Sequence, residues 1–195
     1  MTQDEVRTRE RILLAALALF GERGIAASSM NQIAERAGIT RVTVYRHFVD
    51  KERLTLEAFL LPEKMFMRGL AELKRNLDAD WQEVLNKIGE GLSALPSADV
   101  FARAEELKRI YPAAYAKVQE VRVETLNGLF QNLFAGARRQ KALRPGLNRR
   151  LFQAIFWELA INIFDNPRFR SLGLTDEQLF RGLTDILLHG IIQES

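Results

Sequence analysis

The stretch "GITRVTVYRHFVDKERL", residues 38–54, places five polar or aromatic side chains within one or two turns of a short helix. Ile39, Val44 and Phe48 are the apolar residues available to anchor that helix against a support. Thr40 precedes the helix at the position of a capping hydroxyl. The spacing predicts a short helix that ends at about His47, with a thin apolar seam on one side and a polar face turned outward.

Two helices are predicted before this stretch. The first runs from about residue 4 to residue 23, carries one apolar stripe and ends at Gly24. The second begins at Ser28 or Ser29 and ends at Gly38, so a tight glycine turn joins it to the polar helix. Such a pair forms a helix-turn-helix, whose second helix enters the major groove of DNA. The same turn occurs in helical bundles that bind no nucleic acid, so the geometry alone leaves both interpretations open.

The outward side chains of the polar helix divide into two predicted roles. Arg41 and Thr43 are the expected readers of base edges, and Val42 is placed to touch a thymine methyl group. Arg46 is predicted either to contact DNA or to be a solvated surface residue, and His47 either to contact DNA or to be a surface side chain with no role. Phosphate contacts, which fix the register of a protein on DNA, are predicted for Ser29, Tyr45, His47 and Lys51.

The rest of the chain is predicted to be helical, because its apolar residues follow the helical period and show no sustained two-residue alternation. Pro62 is expected to interrupt a helix that starts at about Lys51. Thr175 is placed to cap the last helix, which ends near residue 193 and follows a loop over residues 165–174. Between them, helices are expected over residues 80–95, 99–110, 112–141 and 149–164.

The length of 195 residues suits one or two compact domains, and 47% hydrophobic residues suffice for a sizeable core. The fold class predicted from these patterns is all-α. We expect a helix-turn-helix domain over residues 1–53 and a second helical domain over residues 54–195. The net charge of +3 is too small to indicate a nucleic-acid partner by itself, so that case depends on where the cations lie.

Several function classes are disfavoured by what the sequence lacks. The absence of cysteine excludes disulfides, thiolate metal sites and a cysteine nucleophile, and the two histidines, His47 and His189, lie far apart, so no metal site is predicted. No nucleophile with its base and no Gly-rich phosphate loop after a strand are found, so neither an enzyme nor a cofactor is expected. Without a secretory signal or a membrane-spanning run, a cytoplasmic location and no membrane contact are expected.

The run from Arg11 to Leu54 resembles the N-terminal DNA-binding domain of the TetR family of bacterial transcriptional regulators. The resemblance is carried by Ala16, Phe20, Gly24, Ser29, Ile33, Ala34, Ala37, Gly38, Thr43, Tyr45, Phe48, Lys51 and Leu54. It implies that DNA is contacted by Ser29, Met30, Asn31, Arg41, Val42, Thr43, Tyr45, Arg46, His47 and Lys51. Val42 stands where the family commonly has a small residue or proline, and Met30 where it often has a hydroxyl. Both departures bear on the operator sequence and not on the class of protein.

Beyond residue 54 the resemblance rests on layout, and it implies a helical ligand-binding and dimerisation domain. An apolar small-molecule effector is expected, in a cavity lined from among Met65, Phe66, Trp81, Phe101, Tyr111, Tyr115, Phe130, Phe134 and Trp157. The last two long helices are expected to form a homodimer interface through Phe152, Phe156, Leu159, Ile163, Leu183, Ile186 and Leu187. The alternative for both sets is that these residues are ordinary intramolecular core.

The function that the resemblance implies is a homodimeric, sequence-specific transcriptional repressor, which an effector releases from a palindromic operator in double-stranded DNA. The two-fold axis of a dimer repeats the recognition helix on a second half-site. Activation in place of repression stays open, because DNA occupancy does not fix the sign of the effect on transcription. From another class, the alternative is a helical ligand-binding or sequestering protein with a vestigial DNA-binding head.

Overall fold

The computed structural model describes residues 2–75, 103–139, 143–162, 166–175, 178–179, 181–183 and 185–186. Every regular element in these ranges is a helix, which confirms the all-α prediction. The chain divides into two compact units, the first formed by Met1–Pro62 and Leu95–Val121, the second by Glu63–Ala94 and Arg122–Ser195. The units therefore do not divide at residue 53, where the sequence placed the boundary, because the helix that follows packs against the N-terminal helix.

Helix α1, Gln3–Arg23, begins at a capping box in which the Thr2 hydroxyl accepts from the Glu5 amide and the Glu5 carboxylate accepts from the Thr2 amide. Gly24 ends the helix with φ +90°, in the left-handed region that favours glycine. One face of α1 is buried in the first unit, as the apolar stripe predicts, through Ile12, Leu13, Ala16, Leu17, Leu19 and Phe20.

Helices α2, Met30–Arg36, and α3, Arg41–His47, form the predicted helix-turn-helix. Ser29 caps α2 in a capping box with Gln32, and the Thr40 hydroxyl caps α3. Gly38, with φ +64°, makes the turn between them, which a side-chain Cβ would strain. The caps and the turn agree with the sequence prediction, which follows from signals lying within a few residues of each helix end.

Helix α4, Lys51–Phe59, starts at the side-chain cap Asp50, and helix α5, Leu61–Arg75, follows after the single residue Leu60. The interruption predicted at Pro62 is confirmed, with the break at Leu60, two residues earlier in the chain. Pro62 is the second residue of α5. Backbone amides in the first turn of a helix have no hydrogen-bond acceptor within that helix, so the missing N–H of proline costs no hydrogen bond. The break therefore precedes the proline, as the fixed geometry of the ring requires.

Four further helices are α6, Ala104–Ile110, α7, Pro112–Arg139, α8, Arg149–Asn162, and α9, Pro167–Arg170. The first three agree with predicted helices wherever the described residues overlap them. Helix α9 corrects the loop predicted over residues 165–174. Pro167 at its first position is suited to a helix start, and the Asn166 side chain accepts from the backbone of the first turn.

The start of the last predicted helix is also observed. The Thr175 amide donates to the Gln178 side chain, and the Gln178 amide donates to the Thr175 hydroxyl, at 2.9 and 3.2 Å. This reciprocal pair is a capping box, as the sequence predicts. The helix predicted over residues 80–95 lies outside the described residues, as does the end of the last predicted helix.

The second unit has an aromatic cluster and a buried ion pair. Phe130, Phe134, Phe152 and Phe156 pack with ring centroids 4.7 to 6.2 Å apart between α7 and α8. The Arg122 guanidinium donates to Glu63 at 3.2 Å, with both side chains about 10% exposed. Burial raises the pKa of Glu63, against the opposing charge and hydrogen bond of Arg122. The carboxylate therefore depends on its partner to remain charged inside the unit.

Candidate nucleic-acid interface

Helix α3 is anchored by a narrow apolar seam. Val44 and Phe48 are 0% and 1% exposed, and Ile39 is half-buried at the turn before the helix. These are the three residues that the sequence assigned to the seam. Because so few side chains hold α3 in place, the remaining positions of a seven-residue helix are free for other contacts.

The outward face of α3 carries two arginines and two large apolar or aromatic side chains. Arg41 and Arg46 are exposed, Val42 is 78% exposed and Tyr45 is 41% exposed. The Arg41 guanidinium lies 5.3 Å from the centre of the Tyr45 ring, a cation–π contact between residues one turn apart. Val42 and Tyr45 thus lie beside two exposed arginines on one face of a short helix, and such a mixed apolar and basic face favours a contact with another molecule.

Thr43 faces the start of α3 and is half-buried. Its hydroxyl lies 2.9 Å from the Thr40 hydroxyl, and its amide donates to that same oxygen at 3.2 Å. One of the two hydroxyls donates to the other, so the Thr43 side chain is oriented by the cap. A fixed hydroxyl and methyl at the first turn of the helix are suited to a base edge.

The start of α2 contributes two of its three predicted contact residues. Ser29 and Asn31 are exposed, and the Ser29 oxygen accepts from the Gln32 amide at 3.3 Å, which leaves its hydroxyl hydrogen free to donate. Met30 is only 7% exposed and belongs to the core of the unit. Its expected DNA contact is therefore corrected, because the first turn of α2 directs this side chain inward between two outward neighbours.

His47 differs from its predicted role as a phosphate contact. Its Nε2 atom is enclosed and has no hydrogen-bond partner among the described residues. Burial lowers the pKa of His47, and the charges of Arg46 and Arg9 lower it further, so the imidazole is neutral at neutral pH. A neutral, enclosed ring nitrogen does not attract a phosphate, and we remove the His47 side chain from the contact set.

Lys51, also predicted to contact phosphate, directs its amino group toward the protein. Lys51 Nζ donates to the Ala26 carbonyl at 3.4 Å, in the loop between α1 and α2. Burial lowers the pKa of Lys51, while the Glu106 carboxylate opposes that shift. The lysine thus ties the start of α4 to the loop before α2, and a phosphate contact would compete with this bond.

Arg9 holds the end of α3 in place, a role that sequence reasoning missed. Its guanidinium donates to the His47 carbonyl at 2.9 Å and to Glu57 at 2.6 Å, and it lies 4.3 Å from the centre of the Phe48 ring. One side chain of α1 therefore joins the last turn of α3 to α4. A signal was present, because Arg9 lies three residues before Ile12 and so falls within the apolar stripe of α1.

Glu106 of α6 holds the loop that leads into α2, at the start of the helix-turn-helix, and sequence reasoning missed this role as well. Its carboxylate accepts from the amides of Ile25 and Ala26, both at 3.0 Å, in the loop that leads to α2. A Cβ built on Gly24 would lie 2.9 Å from the nearer Glu106 oxygen, so the glycine also makes room for the carboxylate. No sequence signal indicates a contact between residues about eighty positions apart.

Comparisons with known proteins agree with this geometry. Residues 12–58, which contain α2 and α3, match the family described as "Bacterial regulatory proteins, tetR family". This N-terminal segment therefore has the sequence pattern of the TetR family. It is 36% identical over 86 residues to the HTH-type transcriptional regulator AcrR of Shigella flexneri, a match that covers 44% of this chain and 40% of that regulator. Over 48 residues it is 50% identical to the HTH-type transcriptional repressor BepR of Brucella suis, covering 25% of this chain and 23% of BepR.

Two solved structures share the fold over nearly the full length of this chain. NalD, the secondary repressor of the MexAB-OprM multidrug efflux pump in Pseudomonas aeruginosa, superposes with a TM-score of 0.59 at 24% identity, covering 98% of this chain and 99% of NalD. The fatty acid degradation regulator FadR from Bacillus halodurans gives a TM-score of 0.65 at 21% identity, over 94% of this chain and 95% of that one. At these identities the likeness establishes the fold alone.

Among the described residues predicted to line an effector cavity, Phe134 lines an open cavity of the second unit. Phe130 is fully enclosed by its aromatic neighbours, as core packing would have it. Tyr111 and Tyr115 belong to the first unit. Met65 and Trp157 are half-buried in the second unit, and the side chains of Phe66, Trp81 and Phe101 lie outside the described residues.

The residues predicted to form the dimer interface differ in how far their own chain buries them. Phe156 is 2% exposed within its own chain and packs against Phe130, so we correct its assignment to the interface. Leu183 is also buried, Phe152 and Leu159 are half-buried, and Ile186 is exposed. Ile163 and Leu187 lie outside the described residues. The apolar residues that α8 leaves open are instead Leu151 and Ile155, one helical turn apart.

No helix among the described residues is both long and apolar enough to cross a membrane. No group of three or more His, Cys, Asp or Glu side chains in the same residues is arranged to hold a metal ion.

Proposed function

We propose that this protein is a sequence-specific DNA-binding regulator of transcription, most specifically a homodimeric repressor that a small molecule releases from a palindromic operator. The observation that carries the proposal is the outward face of α3. Two exposed arginines with an open valine and tyrosine stand on a helix that is anchored by Val44 and Phe48 and held at its end by Arg9. A helix exposed in this way fits the major groove of DNA, which is wide enough for one helix. Each base pair presents a distinct pattern of hydrogen-bond donors and acceptors in that groove.

The proposed contacts follow from the burial of each side chain. Arg41, Val42 and Thr43 are assigned to base edges, since they lie at the first turn of α3, the end that enters the groove. Backbone phosphates are assigned to the exposed polar residues Ser29, Asn31, Tyr45 and Arg46. Lys51 contacts a phosphate only if DNA binding breaks its hydrogen bond to the Ala26 carbonyl.

The test begins with selection of bound sequences from random duplex DNA, followed by titration of the selected duplex and a scrambled one at about 150 mM salt. The variants Arg41→Ala and Thr43→Ala are expected to lose about tenfold of the preference for the selected duplex, roughly the discrimination that one base contact provides. Arg168→Ala, which removes an exposed arginine of the second unit, is the matched control and should leave the preference unchanged. Unchanged preference in the α3 variants would contradict this function and favour the sequestering protein with a vestigial DNA-binding head.

The homodimer is proposed from the apolar surface of α8 and from the geometry of two-fold operators. Leu151 and Ile155 are 59% and 45% exposed on one stripe of this helix, next to the half-buried Leu159. A two-fold interface would bury this stripe and repeat α3 on a second half-site. Sedimentation of Ile155→Glu is the test, with Arg150→Glu on the same helix as control. We expect the first variant alone to shift the protein toward a monomer.

Release by an effector is proposed from the resemblance to the TetR family, and repression from the relative BepR, which is named a transcriptional repressor. A ligand lowers operator affinity only if it binds the DNA-free state more tightly. The sign of regulation is measured with a reporter gene behind the selected operator, where loss of the protein raises expression from a repressor and lowers it from an activator. The proposed place of action is the bacterial cytoplasm, where the operator lies.

A further inference from the structure

A cavity of about 740 Å³ opens in the second unit, between the end of α7 and the segment that leads into α8. Its walls include the four arginines Arg138, Arg139, Arg144 and Arg149, together with Phe134, and the described residues of the walls include no Asp or Glu. The volume is that of a site for a small molecule, since such sites run from about 300 to 1,000 Å³. This cavity does not involve the helix-turn-helix.

Among the described residues, no carboxylate neutralises three of the four arginines that line this cavity. None lies within 4.0 Å of Arg138, Arg139 or Arg144. The sequence has no Asp or Glu between Glu124 and Glu158, although that interval also contains Lys141 and Arg150. Like charges on the wall of one cavity repel one another, and a bound anion would offset that repulsion.

One of these guanidinium groups is already held in place. Arg149 donates to the Gln131 side chain at 3.2 Å and lies 5.3 Å from the centre of the Phe134 ring. The ring itself is fixed by Phe130 and Phe152, at 4.7 and 5.6 Å between centroids. The cavity therefore combines a preorganised cation with a rigid apolar wall.

The turn that carries Arg144 is also closed by the backbone. Gly146 adopts φ +75°, and the Leu147 amide donates to the Arg144 carbonyl at 3.3 Å. The turn brings this arginine back toward Arg138 and Arg139 at the end of α7, on the same cavity. A planar guanidinium matches the paired oxygens of carboxylate and phosphate, and several of them around one space favour more than one negative charge on the ligand.

We propose that this cavity is a binding site for a small organic anion with at least two negative charges, carried by carboxylate or phosphate groups. The charged groups lie among Arg138, Arg139 and Arg144, and the carbon skeleton of the ligand packs beside Phe134 and Arg149. The site goes beyond the DNA-binding function proposed above and does not depend on it.

Isothermal titration of the full-length protein at about 150 mM salt tests the proposal, with citrate and pyrophosphate as probes and glycerol as the uncharged comparison. We expect saturable binding of one anion per chain and none of glycerol. Arg144→Gln should weaken binding roughly tenfold, while Arg144→Lys, which keeps the charge and loses the planar fork, should weaken it less. Arg168→Gln removes an exposed arginine from the same unit outside the cavity and should leave binding unchanged.

Binding of citrate alone would assign the ligand to carboxylates, and binding of pyrophosphate alone would assign it to phosphates. Either result supports the site, and circular dichroism checks that each variant is folded. Absence of saturable binding with both probes overturns the proposal, as does equal weakening in Arg168→Gln, which would mean diffuse attraction by surface charge. Displacement of the probe by duplex DNA of arbitrary sequence, with weaker DNA binding in Arg144→Gln, would overturn it in favour of a nucleic-acid surface.

Discussion

Glu106→Ala should destabilise the first unit, because this one carboxylate satisfies two backbone amides in the loop between α1 and α2. Both bonds, from Ile25 and Ala26, are 3.0 Å long, and the Glu106 side chain is 16% exposed. Glu105, an exposed neighbour in the first turn of α6, is the matched control. Replacing it by alanine removes the same charge from the start of the helix and breaks no observed bond of the loop.

The expected loss in the free energy of unfolding follows from these two hydrogen bonds. A hydrogen bond to a charged acceptor contributes about 1.5 to 3 kcal/mol, and the Ala26 amide recovers part of this from water because it is exposed. We therefore expect Glu106→Ala to lower the free energy of unfolding by about 2 kcal/mol, which lowers the melting temperature by about 4 to 8 °C in a chain of this size. Glu105→Ala should cost no more than about 0.5 kcal/mol.

The same carboxylate gives the effect a dependence on pH. Burial raises the pKa of Glu106, but the hydrogen bonds from Ala26 and Ile25 and the charge of Arg103 outweigh it, so the pKa lies below the ordinary value of 4.5. A depressed carboxyl pKa stabilises the fold fully above pH 4.5 and loses that contribution as the pH falls through the lower folded value. The difference between wild type and Glu106→Ala should therefore be constant from pH 7 to pH 5 and shrink below.

Thermal melting by circular dichroism at a series of pH values from 7 to 3 measures both effects. A melting temperature for Glu106→Ala within about 1 °C of wild type at pH 7 would refute the reasoning from the two bonds. Equal losses in Glu105→Ala would trace the effect to the charge at the helix start and not to the loop. A difference that persists unchanged to pH 3 would refute the role of the ionised carboxylate.

Three other substitutions have expected costs that urea denaturation can measure. Gly24→Ala should cost about 1 to 3 kcal/mol, from a positive φ and a Cβ placed 2.9 Å from the Glu106 carboxylate, and part of that cost should disappear in a double variant with Glu106→Ala. Ser29→Ala should cost about 1 kcal/mol through loss of the capping box of α2; no loss would mean that water replaces the hydroxyl. Arg122→Met should cost about 3 to 5 kcal/mol by leaving Glu63 buried without its partner, and adding Glu63→Gln should recover most of it.

The helix-turn-helix could be predicted from the sequence because each of its boundaries has a local cause. The Ser29 and Thr40 caps and the glycine turn at Gly38 each act on residues at most three positions away. The anchors Val44 and Phe48 are one turn apart and face the same side of the chain. Signals that act over so few residues can be recognised in the sequence without knowledge of any distant contact.

The corrections concern side chains whose surroundings are set by other parts of the fold. Resemblance assigned Met30 to DNA, and His47 was assigned both by resemblance and by its place on the polar helix. The burial of Met30 and of the His47 Nε2 atom depends on contacts with other parts of the fold, which spacing within α2 and α3 does not determine. Phe156 is a similar case, since the aromatic cluster between α7 and α8 uses a residue that amphipathicity alone left available for a partner.

The residues that position the recognition helix lie outside the segment that identifies it. Arg9 holds the end of α3 from α1, and Glu106 holds the loop before α2 from α6, yet the family match begins at residue 12 and ends at residue 58. Homology in that segment therefore covers the side chains proposed to contact DNA but not the bonds that orient them. Substitution at Arg9 or Glu106 changes the setting of α3 while every proposed DNA contact remains in the sequence. A loss of operator affinity in such variants is consequently not evidence that the altered residue touches DNA.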